Sequence, residues 1–280
     1  MQPHPYFALR LHDDQELRAI VGCAITARVT LHERPLSCVQ RLHLADGRTM
    51  IYKSQYGPTV EAAFYRHATA SFLISAQTLY AEDGHVALLF DEITAPRLCD
   101  LPCSTEQLVA IGQQLAHQIS QVAVNFPVYL DLSTIPKWQQ IMAATQVHLA
   151  QLVADGRFVQ TTADHLHALA AQTQDEAVLA ALAGPSSLVH GDLTGDNVFV
   201  LGDRWRVIDW QRPLIGPSGL DLATLLHAAG VDPRPYVAVE ILQLRALLQV
   251  QWLTACAVQW FPPGCAVYDR MIAELVRKSL

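Results

Sequence analysis

Lysine is the scarcest charged residue of this chain. Three of its 19 basic side chains are lysines, Lys53, Lys137 and Lys278, so Lys53 stands alone in the first 136 residues. No basic stripe is present. The net charge is −7, and residues 96–280 carry 16 acidic against 11 basic side chains. That balance excludes a nucleic-acid partner, which needs clustered positive charge. It admits a cationic small molecule, and it is equally what solubility alone asks of a surface. The six cysteines (Cys23, Cys38, Cys99, Cys103, Cys256, Cys265) form no Cys-x-x-Cys pair and are expected as reduced core or loop thiols. The 12 histidines are scattered, with His165 and His167 as the one close pair, so no histidine metal site is expected.

Long unbroken apolar runs are missing too. The most apolar late stretch, Tyr236 to Phe261, is interrupted by Glu240, Gln243, Arg245, Gln249, Gln251 and Gln259. This fits a buried amphipathic helix better than a membrane span. Met1-Gln2-Pro3-His4-Pro5 lacks the positive start and apolar core of a secretion signal, so the expected location is the cytoplasm, with no membrane partner. With 51% hydrophobic and 16% charged residues, wholesale disorder is excluded, and 280 residues can hold two lobes with a substantial core.

What is present concentrates around one stretch. Leu188-Val189-His190-Gly191-Asp192-Leu193-Thr194-Gly195-Asp196-Asn197 is followed by Val198-Phe199-Val200, the turn Leu201-Gly202-Asp203-Arg204, and Val207-Ile208-Asp209-Trp210. The pattern predicts loop, strand, turn, strand. An Asp, an Asn five residues later and a second Asp on the next strand are the parts a phosphoryl-transfer site needs. The first Asp accepts or orients the proton of an attacking hydroxyl; the Asn and second Asp hold the Mg²⁺ that bridges the nucleotide phosphates. Asp192 alone would read as well as a capping residue in a surface turn, but the ordered set does not.

The segment resembles the catalytic loop and metal-binding strand of the aminoglycoside phosphotransferase-like family, small-molecule relatives of protein kinases. Gly191 stands where protein kinases carry Arg and choline kinases more often show Asn. The resemblance makes Asp192 the catalytic base, Asn197 and Asp209 the metal ligands, and His190 a brace of the loop. Asp221, in Gly216-Pro217-Ser218-Gly219-Leu220-Asp221, resembles a second brace; alternatively it is a carboxylate favoured at the positive end of its helix. The fold implied is α+β, protein-kinase-like and two-lobed. Residues 1–92 would form the small nucleotide-binding N-lobe, an antiparallel sheet plus a helix. Residues 93–280 would form a larger, mostly helical C-lobe with the catalytic loop, metal site and acceptor-binding region.

A kinase-type site also needs a cation on the phosphates and a carboxylate to hold it. Lys53 lies in the strand-like run Thr49-Met50-Ile51-Tyr52-Lys53-Ser54, opened by the hairpin turn Ala45-Asp46-Gly47-Arg48. Eight residues on, Glu61 opens a helix-forming run. Alone, the two would read as an exposed Lys and a helix-surface Glu. Upstream of the Asp192 motif they resemble the family's phosphate-contacting Lys and its Glu partner. Thr30 to Val39 falls where protein kinases place a glycine-rich hairpin, yet it contains no glycine. Leu36-Ser37-Cys38 resembles the Leu-Ser-Asn tip common in the small-molecule family, which makes Ser37 a phosphate contact. Val86 to Phe90 is an apolar run of buried-strand length. It ends at Asp91-Glu92-Ile93-Thr94-Ala95-Pro96, the position of the family's hinge. There the Asp91 carbonyl and the Ile93 amide and carbonyl would meet the adenine edge. Ile51 completes the cofactor-binding set.

Helices are expected after Asp13-Asp14, from the capping box Ser104-Thr105-Glu106-Gln107 to about Val124, from Pro136 through Trp138 and Leu152, and after Thr161 or Thr162. Another long helix follows Pro235, and a last one ends near the C-terminus. Trp138, Trp210 and Trp260 are candidates for an acceptor pocket or for plain core, and Trp210, beside Asp209, is the one expected to face the site. The reaction implied is Mg²⁺-dependent transfer of the γ-phosphate of ATP or GTP to a hydroxyl of a small molecule. An aminoglycoside is the first acceptor to consider, and a sugar or amino alcohol the next. A nucleotide-binding pseudokinase is the alternative raised by the glycine-free tip; the intact Lys53, Asp192, Asn197 and Asp209 speak against it. A protein kinase is disfavoured, because Trp210 to Ile215 leaves no room for a long activation segment before Gly216-Pro217.

Overall fold

The computed structural model describes residues 1–279, and their contacts gather into two units. The first holds Met1–Leu101, Val124–Tyr129 and Asp196–Arg212; the second holds Pro102–Ala123, Leu130–Gly195 and Pro213–Leu280.

The first unit opens with the short antiparallel pair β1 (Gln2–Pro3) and β2 (Arg10–Leu11), followed by α1 (Asp14–Val21). Asp13 caps α1: its carboxylate accepts from Glu16 N at 2.8 Å, while Glu16 Oε2 accepts from Asp13 N at 2.9 Å. Five antiparallel strands come next: β3 (Ile25–Arg34), β4 (Ser37–Leu44), β5 (Thr49–Tyr56), β6 (Ala76–Glu82) and β7 (His85–Asp91), in the order β3-β4-β5-β7-β6. The β6–β7 turn is Asp83-Gly84, both at positive φ (51° and 74°), a geometry whose twist matches that of the strands it joins. The apolar run of β7 is buried on both faces. Ala87 and Leu89 pack with Leu17, Leu42 and Tyr52, whereas Val86, Leu88 and Phe90 pack with Ala62 of α2 (Glu61–His67). Alternation along β5 therefore sends Tyr52 and Ser54 to the α1 side, and Ile51, Lys53 and Gln55 to the α2 side. A hairpin of β10 (Val198–Leu201) and β11 (Arg204–Val207) completes the unit, with Val207 N donating to Phe72 O at 2.9 Å.

The second unit is mostly helical. It contains α3 (Thr105–Ser120), α4 (Ile135–Ala154), α5 (Ala163–Thr173), α6 (Glu176–Ala183), α7 (Gly219–Ala228), α8 (Val239–Ala255) and α9 (Cys265–Ser279). A small sheet sets β12 (Leu214–Gly216) between β8 (Leu130–Asp131) and β9 (Ser187–Val189), parallel to the first and antiparallel to the second. Ser104, Thr134, Thr162 and Asp175 cap α3 to α6 with side-chain oxygens. His165 of the close histidine pair serves the Thr162 capping box, accepting from Thr162 N at 3.1 Å. Helix α3 stops at Ser120, short of the expected Val124, because Gln121 N already closes on the Gln118 and Ile119 carbonyls. The segment Val239–Trp260 has the length and composition of a membrane span, with a mean hydropathy of 1.3, and one side of it packs into the core. Its Leu244, Leu247, Val250 and Leu253 are buried with Trp138, Leu149, Val178 and Ile272. On α9, buried Asp269 accepts from Val159 N (2.7 Å), Gln160 N (2.8 Å) and Thr161 N (2.8 Å), fixing the approach to α5. Burial works against its charge, but the backbone donors outweigh it and hold the carboxyl below its ordinary value. None of the six cysteines is joined in a disulfide.

Candidate active site

Three charged side chains converge in the first unit. Lys53 Nζ donates to Glu61 Oε2 at 2.7 Å and to Asp209 Oδ1. Lys53 is 7% exposed and Glu61 is fully buried, so water screens this pair little. Burial disfavours the ammonium, but the carboxylates of Asp209 and Glu61 prevail and raise its pKa; Lys53 stays charged. Burial raises the Glu61 pKa against the pull of Lys53, and Asp209 adds to the rise. Two glutamines steady the carboxylates: Gln55 Nε2 donates to Glu61 Oε2, and Gln211 Nε2 to Asp209 Oδ1 at 2.6 Å. Val60 N donates to Gln211 O at 3.0 Å, which ties the start of α2 to the segment beyond Asp209.

Asp209 sits at φ 68°, in the left-handed region that costs a non-glycine residue about 1–2 kcal/mol. Its neighbours pin it there. Ile208 N donates to Asn197 O at 3.0 Å, and Trp210 is fully buried with its indole N–H on Val207 O at 3.1 Å. The Trp210 ring stacks on Phe64 with centroids 4.3 Å apart. Trp210 therefore does not face the site as its place next to Asp209 led us to expect: the left-handed turn lets the two side chains part, and the indole becomes core. Trp138 is core as well, donating to Thr173 O at 3.0 Å.

The other nucleotide-side positions fall on the same sheet. Ser37 is buried opposite Gln55, on the Lys53 face, and Ile51 lies two residues from Lys53 on that face. Asp91 ends β7 exposed, and Ile93 is half-buried beyond it. Between them Glu92 takes Arg41 Nε at 2.7 Å and its terminal nitrogen at 2.6 Å, so β4, two strands away in the same sheet, holds the side chain between Asp91 and Ile93. Asn197 closes a 3-10 turn, Gly195–Asn197, and Arg97 holds neighbouring Asp196 at 3.0 Å.

The loop with Asp192 belongs to the second unit. Gly191 adopts φ 81°, where a Cβ would be strained, so glycine here follows from backbone geometry. Asp221, buried near the start of α7, accepts from His190 N at 2.9 Å and Gly191 N at 3.1 Å. Burial raises its pKa, opposed by His190 and the two backbone donors, with the Asp192 charge adding to the rise. His190 Nδ1 accepts from Asp192 N at 3.2 Å, which puts the proton of a neutral His190 ring on Nε2. Asp192 itself is half-buried.

Gln55, Gln211, Arg41 and Glu92 escaped the sequence reading. Gln55 had a signal, because it lies two residues from Lys53 and so on the same strand face. The Arg41–Glu92 contact spans 51 positions and needs the strand register, which no local pattern supplies.

The model of the phosphotransferase enzyme family matches residues 61–253, more than half of the chain. No curated protein matches the chain in sequence. Among solved structures, a thermostable mutant of aminoglycoside phosphotransferase APH(4)-Ia in its apo form is 18% identical with a TM-score of 0.61, covering 95% of this chain and 98% of that one. A choline/ethanolamine kinase family protein from Mesorhizobium loti is 16% identical with a TM-score of 0.63, covering 94% and 93%. Spectinomycin phosphotransferase, in complex with ADP and spectinomycin, is 13% identical with a TM-score of 0.55, covering 96% and 99%. At these identities the likeness establishes the fold, the kinase-like α+β architecture of a small antiparallel-sheet part and a helical part. Fold and family model together define the class, a small-molecule phosphotransferase with an alcohol group as acceptor. The chain belongs to the phosphotransferase enzyme family.

Proposed function

We propose that this chain moves the γ-phosphate of ATP or GTP onto a hydroxyl of a small molecule. The observation that carries this reading is the buried Lys53–Glu61 pair closed by Asp209, a fixed cation beside a carboxylate on a strained backbone. Lys53 would contact the phosphates, held by Glu61. Asn197 and Asp209 offer the hard oxygen donors that Mg²⁺ prefers. Among the described residues no three His, Cys, Asp or Glu gather into a cage. That donor set fits a cation shared between one or two side chains and the nucleotide. Bound there, Mg²⁺ would neutralise charge developing on the phosphates. Asp192 would accept the proton of the acceptor hydroxyl, on a loop that Asp221 and His190 keep in place. Ser37, Ile51 and the backbone of Asp91 and Ile93 would surround the nucleotide. In this reading residues 1–92 form the nucleotide-binding lobe, and residues 93–280 carry the catalytic loop, the metal site and the acceptor-binding region. Six cysteines without a disulfide suit the reducing cytoplasm.

For the acceptor we favour an amine-bearing alcohol. The names of the structural relatives point to aminoglycoside, spectinomycin and choline or ethanolamine chemistry. The excess of 16 acidic over 11 basic residues across 96–280 suits such a cation. The test is acceptor-stimulated ATP or GTP consumption over a panel of aminoglycosides, amino alcohols and neutral sugars. Stimulation by an amine-bearing member supports the assignment, stimulation by neutral sugars alone overturns the amine preference, and no stimulation by any member overturns transfer to these acceptors.

A further inference from the structure

The β3–β4 hairpin occupies the place where a glycine-rich loop would offer backbone N–H groups to phosphate, and it offers few. Its two turn residues are Pro35, which has no N–H, and Leu36, so the turn itself carries a single backbone N–H. No residue of the tip has the positive φ that lets a backbone crowd against a ligand.

Side chains stand there instead. His32 pairs with Val39, and Val39 with Lys53; Arg34 pairs with Ser37, and Ser37 with Gln55. Directly opposed residues share a sheet face, so His32 and Arg34 lie on the face that carries Lys53. Both are exposed. Partial burial of the ring lowers the His32 pKa, with Arg34 and Lys53 adding to the fall and Asp209 opposing it. The strand is also fixed from behind. Glu33, on the opposite face, takes His4 Nε2 at 2.6 Å, while His4 Nδ1 accepts from Tyr6 N at 3.2 Å and Phe7 N at 3.3 Å. The N-terminal segment thus clamps the residue between His32 and Arg34, and the tip is held before any ligand arrives.

We infer that His32 and Arg34 are phosphate-contacting residues of this chain, supplying from side chains the donors that its glycine-free hairpin lacks. The inference rests on the nucleotide reading above and adds two residues to it. An imidazole N–H and a guanidinium fork are both suited to phosphate oxygens, the fork bidentately.

The experiment is calorimetric titration of the full-length protein and its His32→Ala, Arg34→Ala and His32→Gln variants with ATP, GTP, ADP and adenosine, with circular dichroism confirming the fold. His32→Ala and Arg34→Ala should each weaken ATP binding about 10- to 100-fold, the worth of one charge-assisted hydrogen bond. Adenosine affinity should not change, and His32→Gln, which keeps an N–H donor, should recover most of the loss. Unchanged ATP affinity in both alanine variants overturns the inference. So does an equal loss for adenosine and ATP, which would mark a structural effect. Wild-type protein that binds neither ATP nor GTP would instead bring down the nucleotide reading itself.

Discussion

Glu61→Gln removes one negative charge and keeps the side chain's shape. Glu61 Oε2 accepts from both Lys53 Nζ, at 2.7 Å, and Gln55 Nε2, while Asp209 supplies the second carboxylate to Lys53. A hydrogen bond to a buried charge contributes about 1.5–3 kcal/mol, and stranding a buried charge altogether costs about 3–5 kcal/mol. Because Asp209 still compensates Lys53, the smaller figure applies, about 2 kcal/mol. For a chain of this size that is a fall in Tm of about 4–8 °C. The functional loss should be larger. On the proposed reading, the ammonium freed from Glu61 would be drawn onto Asp209, which would take the lysine from the phosphates and the carboxylate from Mg²⁺. We expect kcat/KM to fall about 100-fold and the Mg²⁺ concentration for half-maximal rate to rise. Steady-state kinetics over a Mg²⁺ series, well below the Tm found by scanning fluorimetry, reads both effects. A variant with wild-type kcat/KM, or one whose loss merely follows its unfolded fraction, refutes the assignment of Lys53 and Glu61 to the transfer step.

Three further outcomes are expected. Asp192→Ala should lower single-turnover transfer by about 10²–10⁴-fold with nucleotide affinity nearly intact, as removal of a positioned base does; turnover at the wild-type rate would take Asp192 out of the chemistry. Asp209→Asn should weaken Mg²⁺-dependent nucleotide binding more than Asp192→Ala does, and equal Mg²⁺ dependence of the two would contradict the ligand assignment. Asp269→Asn should cost about 2 kcal/mol at neutral pH, because an amide cannot face three N–H donors as a carboxylate does. The Asp269 carboxyl lies below its ordinary 3.8, so its contribution is complete above that pH and disappears as pH falls through the lower folded value. Urea midpoints should therefore separate wild type from Asp269→Asn at pH 7 and converge in strong acid. A constant gap down to pH 2 would contradict this.

The elements that could be read from the chain are those whose cause is local. Capping residues at Asp13, Ser104 and Thr162 announced their helices, and Asp46-Gly47 its hairpin. Lys53 was legible because lysine is so rare in this chain. The loop, strand, turn and strand from His190 to Asp209 were legible because their apolar runs and turn residues lie at short spacing. Partners brought together by strand register were not, Arg41 with Glu92 above all. Trp210 misled because sequence adjacency says nothing of direction across a left-handed residue. Helix α6 passed unnoticed between longer periodic runs. The two- and three-residue strands β8, β9 and β12 are too short to show a period.

The first unit is spliced from three separate stretches of chain, and this sets a timetable for its making. Lys53 leaves the ribosome long before Asp209, its second carboxylate, which follows 156 positions later. Phe64 likewise waits for Phe126 and then for Trp210 before its aromatic cluster closes. A nascent chain stopped at residue 101 would hold a buried lysine with half its compensation and a phenylalanine with the edge contact of Tyr65 but without its stack on Trp210. The sheet can be started early, but the charged centre can be finished only once residues 196–212 have emerged. A truncation that keeps residues 1–101 alone would discard the segment that holds Asp209 and Trp210.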